Sequence, residues 1–421
     1  MTAHSQDQTT AKTPIEDVLI SDREHWLDGP PHHLFTRCRD ECPVHWSAQI
    51  TEWPTEDGFH SVTTWDDVRT VSMDWQTYSS ELGGITALTH SIMPLEMQRG
   101  MFIAQDPPKH DRLKALFQRG FTPKRIAEHE DRIRKIVRDR LEALDPHNVV
   151  NLVDEFAQPV VARVIGSFMG TNPEDDAIWA RLMNATLGGG DPDLNPDGPE
   201  AIMEKDVPEI FERCQKLIDA RRANPTDDLT TVLVQAEVDG SKLEDWEIVM
   251  GFFLLMAAGN DSTKATFCSA IKALCEHPGE KQKLIDDPSL IESAVEESLR
   301  MFPAFAHFRR TATKDVQLNN AQIKAGEKVV MWYVSSNRDA TRFEDPDRFD
   351  VERNPDHQAF GAGGRHFCLG AALARLELKI MLEEILARYP NMAIVGEARF
   401  VESPFISQLK TLPVLLDGAD R

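Results

Sequence analysis

The sequence predicts a mainly α, single-domain fold with a small β portion. Apolar residues recur at helical spacing in four segments, residues 123–144, 150–169, 199–222 and 370–388. β-branched and aromatic residues are dense in residues 57–64 and 327–334, which we expect to be strands. No internal repeat or Gly/Ser-rich linker divides the 421 residues. One α-rich domain over residues 15–421, preceded by a loose polar tail over residues 1–14, is therefore expected.

The segment from Leu243 to Glu276 predicts one long central helix, which Pro278 and Gly279 end. At 1.5 Å per residue it would be roughly 50 Å long, enough to cross the whole molecule. Its middle is apolar on every side, and a helix of that kind belongs in the interior of a fold.

Composition excludes several classes of protein. The formal net charge of −23 argues against binding to nucleic acid or to an anionic membrane. The longest apolar run, residues 249–259, is far shorter than the roughly 20 residues of a membrane span. Six cysteines are too sparse for a disulfide scaffold. These observations predict a cytoplasmic protein without a membrane span.

The sequence Phe360-Gly-Ala-Gly-Gly-Arg-His-Phe-Cys-Leu-Gly370, here called the cysteine loop, carries the strongest signal. A phosphate-binding loop would need a Lys and a Ser or Thr that do not follow here. A structural thiol would not need four nearby glycines. A lone thiolate flanked by glycines instead suits an iron that a macrocycle already holds. The helix expected after Cys368 turns its positive end toward the sulfur, which should lower the pKa of the thiol.

The cysteine loop resembles the haem-binding signature of the cytochrome P450 superfamily, with Cys368 in the position of the iron ligand. Phe360 lies eight residues before the cysteine, where most members have seven. The resemblance implies the P450 fold, with haem b between the central helix and the cysteine loop. Glu297-Ser-Leu-Arg300 resembles the family's buried Glu-x-x-Arg pair, and Pro346-Asp-Arg-Phe349 implies Arg348 as the third member of a structural triad.

The resemblance also assigns residues around the haem. Its two carboxylates need cationic partners. The positions implied for them are His110, Lys114, Arg310 and His366. In the central helix, Gly259 would open space for dioxygen, and Asp261 beside Ser262 or Thr263 would relay protons. A kink with hydroxyls bonded back to the helix is the alternative interpretation of this segment.

The family resemblance implies a monooxygenase that inserts oxygen from O2 into an unactivated C–H bond of a hydrophobic substrate. Further motifs, among them Gly190-Asp-Pro-Asp-Leu194, resemble bacterial and notably mycobacterial members that hydroxylate terminal methyls of branched lipids, terpenoids and steroid side chains. The residues expected to line the substrate pocket are apolar: Ile85, Leu88, Met93, Leu95, Met256, Ala258, Phe305 and Phe405.

No flavin or nicotinamide domain occurs in the sequence, so electrons from NAD(P)H are expected to arrive through a ferredoxin and its reductase, on a monomeric enzyme. A basic patch over the thiolate face would receive an acidic ferredoxin: Arg112, Lys114, Arg119, Lys124, Arg125, Arg365 and Arg375. Two alternatives remain: a non-catalytic haem-thiolate sensor, and a peroxygenase or isomerase that needs no redox partner.

Overall fold

The computed structural model describes residues 13–51, 55–88, 93–118, 120–238 and 241–418, so the expected tail lies outside it except for its last two residues. Within these ranges the α-helices are α1 His32–Glu41, α2 Trp65–Met73, α3 Leu95–Gln98, α4 Lys109–Gln118, α5 Pro123–Ala127, α6 Glu130–Glu142, α7 Gln158–Met169, α8 Asp176–Gly188, α9 Pro199–Ala201, α10 Val207–Ala223, α11 Leu229–Gln235, α12 Asp245–Glu276, α13 Pro278–Asp286, α14 Ile291–Met301, α15 Tyr333–Ser336 and α16 Ala371–Arg388.

The strands are short. They are β1 Val44–Ser47, β2 Phe59–Val62, β3 Tyr78–Ser79, β4 Val149–Asn151, β5 Glu237–Val238, β6 Ser241–Lys242, β7 His307–Ala312, β8 Val316–Leu318, β9 Ala321–Ile323, β10 Lys328–Trp332, β11 Ala393–Ile394, β12 Arg399–Phe400, β13 Leu409–Thr411 and β14 Pro413–Leu415. The mainly α fold with a small β portion is thus confirmed.

The two strands that the sequence predicts are neighbours in the largest sheet. This sheet has the order β1-β2-β10-β7-β3, and β2 pairs with β10 in parallel while the other neighbours are antiparallel. β10 is buried on both faces, which explains its continuous run of apolar residues. The sheet brings β7 to the edge of the cavity described below.

The predicted helices form with interruptions. Residues 123–144 divide into α5 and α6. Residues 150–169 begin as β4 and continue through a π-helical turn, Val153–Ala157, into α7. Pro159 has no N–H to donate to residue 155, and the turn before it is widened, so that the Gln158 N–H bonds the Val153 carbonyl. A second π-helical turn, Ile202–Asp206, precedes Pro208 in the same way.

Helix α12 occupies the centre of the molecule, as its all-apolar middle predicts. It is 32 residues long and packs against α7, α8, α10, α14 and α16. Its N-terminus carries a capping box between Glu244 and Glu247. A separate aromatic cluster supports the sheet, with Trp332 packed 5.6 Å from Trp26 and 5.2 Å from Phe35 between ring centroids. Among the described helices, none is both long and apolar enough to cross a membrane.

Candidate active site between the central helix and the cysteine loop

A cavity lies between α12 and the cysteine loop, and it contains most of the predicted site. The predicted residues that line it are Ile85, His110, Lys114, Ala258, Gly259, Ser262, Thr263, Phe305, Arg310, Phe360, His366, Cys368 and Phe405. Segments far apart in sequence therefore converge here, as the motif order predicts. The cavity wall does not include Leu88, Met93, Leu95, Asp261 or Met256.

Glycines shape the cysteine loop so that Cys368 faces the cavity. Gly361, Gly363 and Gly364 have φ values of 90°, 93° and 80°, in the left-handed region that other residues avoid. A Cβ on Gly364 would also lie 2.7 Å from the Ser72 carbonyl oxygen, so α2 approaches the loop too closely for a side chain. The Cys368 N–H donates to the Phe360 carbonyl at 2.9 Å, which closes the loop just before α16 begins.

The pKa of the Cys368 thiol is raised, whereas the sequence predicts a lowered one. The Cys368 side chain is exposed to the cavity, while the protein that encloses the cavity raises the pKa of the thiol. The backbone N–H groups of Gly370 and Ala371 and the charges on Lys114 and Arg375 oppose this rise. The helix N-terminus alone is therefore not enough to favour the thiolate. A metal ion bound to the sulfur would favour the thiolate, because a metal deprotonates the thiol that coordinates it.

Two histidines lie against each other on one side of the cavity. The rings of His110 and His366 are 4.2 Å apart between centroids. His110 Nδ1 lies 2.9 Å from an oxygen of Asp111, whereas its buried Nε2 has no hydrogen-bond partner among the residues described. Burial is the main cause that lowers the pKa of both histidines, and Arg310 lowers both further. Because Nδ1 donates to Asp111, Nε2 is an acceptor in the neutral ring; a carboxylate facing Nε2 would bind the protonated ring and would favour that form by its charge.

Lys114 and Arg310 add two cations to the same side. Lys114 Nζ donates to the carbonyl oxygens of Arg365 and Phe367, at 2.5 and 2.8 Å, and thereby braces the cysteine loop. Arg310 is buried and donates to the Arg309 carbonyl at 2.7 Å. Burial lowers the pKa of both groups. This cationic cluster and the orphaned His110 nitrogen fit a group that carries two carboxylates, as haem does.

The Ala258–Thr263 segment of α12 separates its hydroxyls from its acid. Ser262 and Thr263 line the cavity, and the Ser262 hydroxyl donates to the Ala258 carbonyl at 2.7 Å. Asp261 is fully buried on the other side of the helix, so the expected adjacency to Ser262 holds in sequence but the carboxylate does not face the cavity. A hydroxyl bonded back to the helix, which belongs to one of the two alternatives, is thus present at Ser262 on the cavity wall, within a continuous helix.

Asp261 belongs to a buried polar network that sequence reasoning missed. Its Oδ1 accepts from Lys264 Nζ at 2.5 Å, and Lys264 also donates to Gln158 at 2.7 Å and Asn184 at 2.8 Å. Asn260 joins through a 3.0 Å hydrogen bond from Gln158. Burial raises the pKa of Asp261, and Lys264 opposes the rise. The partners come from α7 and α8, and the pattern of α12 alone carries no sign of them.

Gly259 has a packing role that its predicted function did not require. A Cβ at this position would lie 2.9 Å from both Cδ1 and Cγ1 of Ile165 on α7. The glycine therefore allows α7 and α12 to approach closely, and both residues line the cavity. The width of the cavity beside Gly259 therefore depends on the Ile165 side chain as well as on the absence of a side chain at the glycine.

The structural triad contains Arg353, and the expectation of Arg348 is wrong. Arg300 makes two hydrogen bonds to Glu297, at 2.7 and 2.8 Å, and both side chains are fully buried. Arg353 Nε donates to Glu297 at 3.2 Å. The Arg348 side chain is 59% exposed and pairs with Asp350, while its carbonyl oxygen turns inward and accepts from Arg300. Residue 348 thus contributes its backbone to the cluster, and Arg353 contributes the charge.

Three phenylalanines form one apolar wall. Phe305 lies 5.3 Å from Phe308 and 5.2 Å from Phe405 between ring centroids. The wall continues through Ile85 and, from α8 and α12, through Leu187, Phe253, Leu254 and Leu255. Four predicted wall residues lie elsewhere. Met93 and Met256 are buried in the main core, Leu88 packs near the Trp26–Trp332 cluster, and Leu95 is half-buried in α3.

Glu377 is a cavity-lining carboxyl that sequence reasoning missed. It lies on α16 together with Leu373, Ala374 and Leu378, which also line the cavity. Its Oε2 is buried, without a hydrogen-bond partner in the described part of the chain, and burial raises the pKa of the carboxyl well above its usual value. Glu377 follows Ala374 by three residues and Leu373 by four, so the three lie on one face of the helix. Because that face is apolar and must point inward, this spacing was the signal in the sequence.

Comparison with known proteins agrees with this site. Residues 200–393 match the family model described as cytochrome P450. The chain is 35% identical to a methyl-branched lipid omega-hydroxylase of Mycobacterium tuberculosis, over 96% of this chain and 95% of the relative. It is 32% identical to a linalool 8-monooxygenase of Pseudomonas putida, over 92% of this chain and 95% of the relative.

Solved structures agree with the sequence relatives. A Mycobacterium marinum cytochrome P450 in complex with pseudoionone superimposes with a TM-score of 0.90 at 33% identity, covering 96% of this chain and 99% of that chain. A cytochrome P450 from Bacillus megaterium in complex with testosterone gives a TM-score of 0.81 at 31% identity, over 94% and 100% of the two chains. With its fold, cavity and cysteine loop, the chain belongs to the cytochrome P450 family and is a haem-dependent monooxygenase.

Proposed function

We propose that this protein hydroxylates an unactivated C–H bond, at a terminal methyl group, of a branched lipid, a terpenoid or a sterol. The observation that carries the proposal is the apolar wall of Ile85, Phe305, Phe308 and Phe405, which lines the same cavity as Cys368. Such a wall selects a substrate by shape and apolar area. The relatives named above for methyl-branched lipids and linalool support the same substrate class.

The residues that would hold the haem follow from the cavity wall. Cys368 would bind the iron, and His110, Arg310 and His366 would bind the carboxylates, with Phe360 beside the cysteine. Lys114 is already bonded to two carbonyls of the cysteine loop, so its role would be to stabilise the loop as much as to bind a carboxylate. When bound, haem with a thiolate ligand activates O2 and supplies the oxidising chemistry.

The chain itself would supply protons and exclude water. Ser262 and Thr263 are the hydroxyls on the α12 side of the cavity, and Asp261 is the acid one residue away. For Asp261 to give a proton to the Ser262 side of the helix, its carboxylate must leave Lys264 or act through ordered water. The network around Lys264 would therefore control when the acid is available. The apolar wall keeps other water out.

Two electrons would come from NAD(P)H through a ferredoxin reductase and a ferredoxin. The expected basic patch is partly neutralised. Arg365 pairs with Asp111 at 2.5 Å, and Arg375 pairs with Glu296 at 2.6 Å. Lys124 and Arg125 of α5 are exposed, and Arg119 lies outside the described residues. We infer that Lys124 and Arg125 provide much of the charge that meets an acidic partner.

The test uses purified holoprotein. The reduced, carbon-monoxide-bound spectrum should show a thiolate-ligated haem, and Cys368→Ala should abolish it. A screen of branched fatty alcohols, linalool, pseudoionone and sterols should then reveal ligands that shift the iron spin state. Those ligands should be hydroxylated with ferredoxin, reductase, NADPH and ¹⁸O2, with one labelled oxygen in each product. Turnover with hydrogen peroxide alone would indicate a peroxygenase, and binding without product under any condition would indicate a sensor.

A further inference from the structure

His307 is a buried histidine that belongs to none of the roles above. It is the first residue of β7 and is 1% exposed. Its Nδ1 lies 2.8 Å from the Pro404 carbonyl oxygen, and its Nε2 lies 3.1 Å from the Ala87 backbone nitrogen. The side chain thus joins two chain segments that are more than 300 residues apart in sequence.

The two partners determine the tautomer of His307. A carbonyl oxygen can only accept a hydrogen bond, so Nδ1 must carry the hydrogen. A backbone N–H can only donate, so Nε2 must present its lone pair. Protonation would set an Nε2–H against the Ala87 N–H. In agreement with this geometry, burial lowers the pKa of His307 to about 4, and the ring is neutral in the physiological range.

Both joined segments carry a wall of the substrate cavity. Ile85 lines the cavity two residues before Ala87, and Phe405 lines it directly after Pro404. The backbone around His307 adds two more bonds to these segments. The Arg309 N–H donates to the Ile85 carbonyl at 3.0 Å, and the Ala306 N–H donates to the Phe405 carbonyl at 2.8 Å.

Aromatic packing keeps the imidazole in one plane. Its ring centroid is 4.5 Å from that of Trp332 and 5.5 Å from that of Phe405. The Trp332 indole is itself fixed by a 2.9 Å hydrogen bond to the Ser61 hydroxyl on β2. The sheet therefore holds His307, and His307 is the side chain that joins the two loops to the sheet beside the backbone hydrogen bonds of Ala306 and Arg309.

We propose that His307 is a positioning residue that determines ligand specificity by holding the Ile85 and Phe405 walls at a fixed separation. This inference deepens the proposed function and rests on it, because it concerns the same cavity. His307 does not itself line the cavity, so it acts through Ile85 and Phe405. Neutral imidazole is the side chain that can donate to Pro404 on one side and accept from Ala87 on the other.

The first experiment tests the tautomer in the protein as it exists. The holoprotein is labelled with ¹⁵N-histidine and measured by NMR in its reduced, carbon-monoxide-bound form, which is diamagnetic. The expected result for His307 is a protonated Nδ1 and an unprotonated Nε2 at pH 7. A protonated Nε2 would overturn the proposal, since the Ala87 N–H would then have no acceptor. This measurement requires no substrate.

The second experiment measures cavity shape with two iron ligands. Imidazole is small and reports on the iron, whereas 4-phenylimidazole also reaches the apolar walls. His307→Phe keeps a ring but loses both hydrogen bonds. We expect the Kd of 4-phenylimidazole to rise about tenfold, because walls that must be ordered on binding cost affinity, while the Kd of imidazole stays within about twofold. An unchanged ratio of the two Kd values would contradict the proposal.

Two conservative variants guard against a folding defect. His307→Asn can still donate toward Pro404, and His307→Gln can still accept from Ala87, so each should give a ratio between wild type and His307→Phe. The matched control is His45→Phe, at a buried histidine on β1 that bonds the Val18 carbonyl and does not line the cavity. It should lower stability and leave the ratio unchanged. Absence of hydroxylated product from every ligand of the hydrophobic screen would refute the proposed function instead, and the ratio of the two Kd values would still decide the role of His307.

Discussion

Lys264 and Asp261 form an ion pair one helical turn apart in the interior of the protein, with Nζ 2.5 Å from Oδ1 and both side chains at most 4% exposed. The three donors of Lys264 are matched by three acceptors, on Asp261, Gln158 and Asn184. Asp261 is less well satisfied, because its Oδ2 has no hydrogen-bond partner within the described ranges. Lys264, whose three donors are all used, thus binds Oδ1 of Asp261, and Oδ2 of Asp261 stays without a partner among the described residues.

Removing the lysine should therefore be costly. Lys264→Met leaves Asp261 buried without its counter-charge, and we expect the free energy of unfolding to fall by about 3–5 kcal/mol. The matched control is Lys272→Met on the same helix, where the lysine pairs with Glu276 and is 28% exposed. That change should cost about 0.5 kcal/mol. Denaturant unfolding of both holoproteins makes the comparison, and equal losses would show that the buried pair contributes no more than a surface one.

The two cavity hydroxyls should differ in their effect on oxygen chemistry. Ser262 adjoins Asp261, and its hydroxyl is held in place by the Ala258 carbonyl. We expect Ser262→Ala to lower the yield of product per NADPH consumed by about tenfold or more, with hydrogen peroxide made instead, because a proton arrives late. Thr263→Val should lower the yield less. The measurement compares oxidised substrate, peroxide and NADPH, and a larger loss with Thr263→Val would transfer the role to Thr263.

Glu377 should make stability depend on pH. Burial raises its pKa in the folded state above the value in the unfolded chain, so the folded state keeps the proton over a range in which the unfolded state has lost it. Stability from this group is therefore present below the unfolded pKa of about 4.3 and is lost as pH rises toward the raised folded value. Glu377→Gln mimics the neutral acid and should flatten that decline.

The Glu377 prediction is checked by thermal unfolding of the holoprotein from pH 5 to pH 8. The variant should gain stability relative to wild type as pH rises, and the two should converge at the acid end. Glu384→Gln on the same helix is the control, because Arg134 and Arg138 lower the pKa of Glu384. Its curve should run parallel to that of wild type over this range, because Glu384 is ionised in both the folded and the unfolded state above pH 5. Parallel curves for wild type and Glu377→Gln would mean that the carboxyl is ionised in the folded protein.

Arg353 and Arg348, five residues apart, should differ in their contribution to stability. Arg353→Ala removes a charged hydrogen bond to buried Glu297 and should cost about 1.5–3 kcal/mol. Arg348→Ala removes an exposed pair with Asp350 and should change stability by less than about 1 kcal/mol. Unfolding midpoints of the two variants in denaturant distinguish these outcomes. The reverse order would restore Arg348 to the triad.

Features with a local cause could be predicted from the sequence. The cysteine loop needs several glycines with positive φ within a few residues, and the middle of α12 is apolar on every side, so both are visible in short windows. Because the middle of α12 is apolar all round, the sequence could not show which side of the helix faces the cavity. Periodicity could not distinguish Met256, which packs in the core, from Ala258, which lines the cavity, because no polar face marks the outside.

Features that depend on distant partners could not be predicted. Lys264 is satisfied by Gln158 and Asn184, which come from two other helices. The prediction that Arg348 belongs to the triad was wrong for a different reason. The motif around residue 348 located the right segment, but past the turn at Asp345, whose φ is 44°, the Arg348 carbonyl accepts from Arg300 and its side chain is exposed beside Asp350. Which arginine meets Glu297 is decided by that backbone path.

The contact between Gly259 and Ile165 predicts a compensating pair of substitutions. Gly259→Ala places a methyl group 2.9 Å from two carbons of Ile165 and should cost about 1–3 kcal/mol through overpacking. Ile165→Ala alone should cost about 2–5 kcal/mol, because it leaves a cavity. In the double variant the new methyl enters that space, so the combined loss should be smaller than the sum by about 1 kcal/mol or more. Gly279→Ala in α13, where nothing lies within 4 Å of the added Cβ, is the control and should not destabilise the protein. Strictly additive losses at positions 259 and 165 would show that the loss at position 259 does not come from its contact with Ile165, and the glycine would then need another explanation.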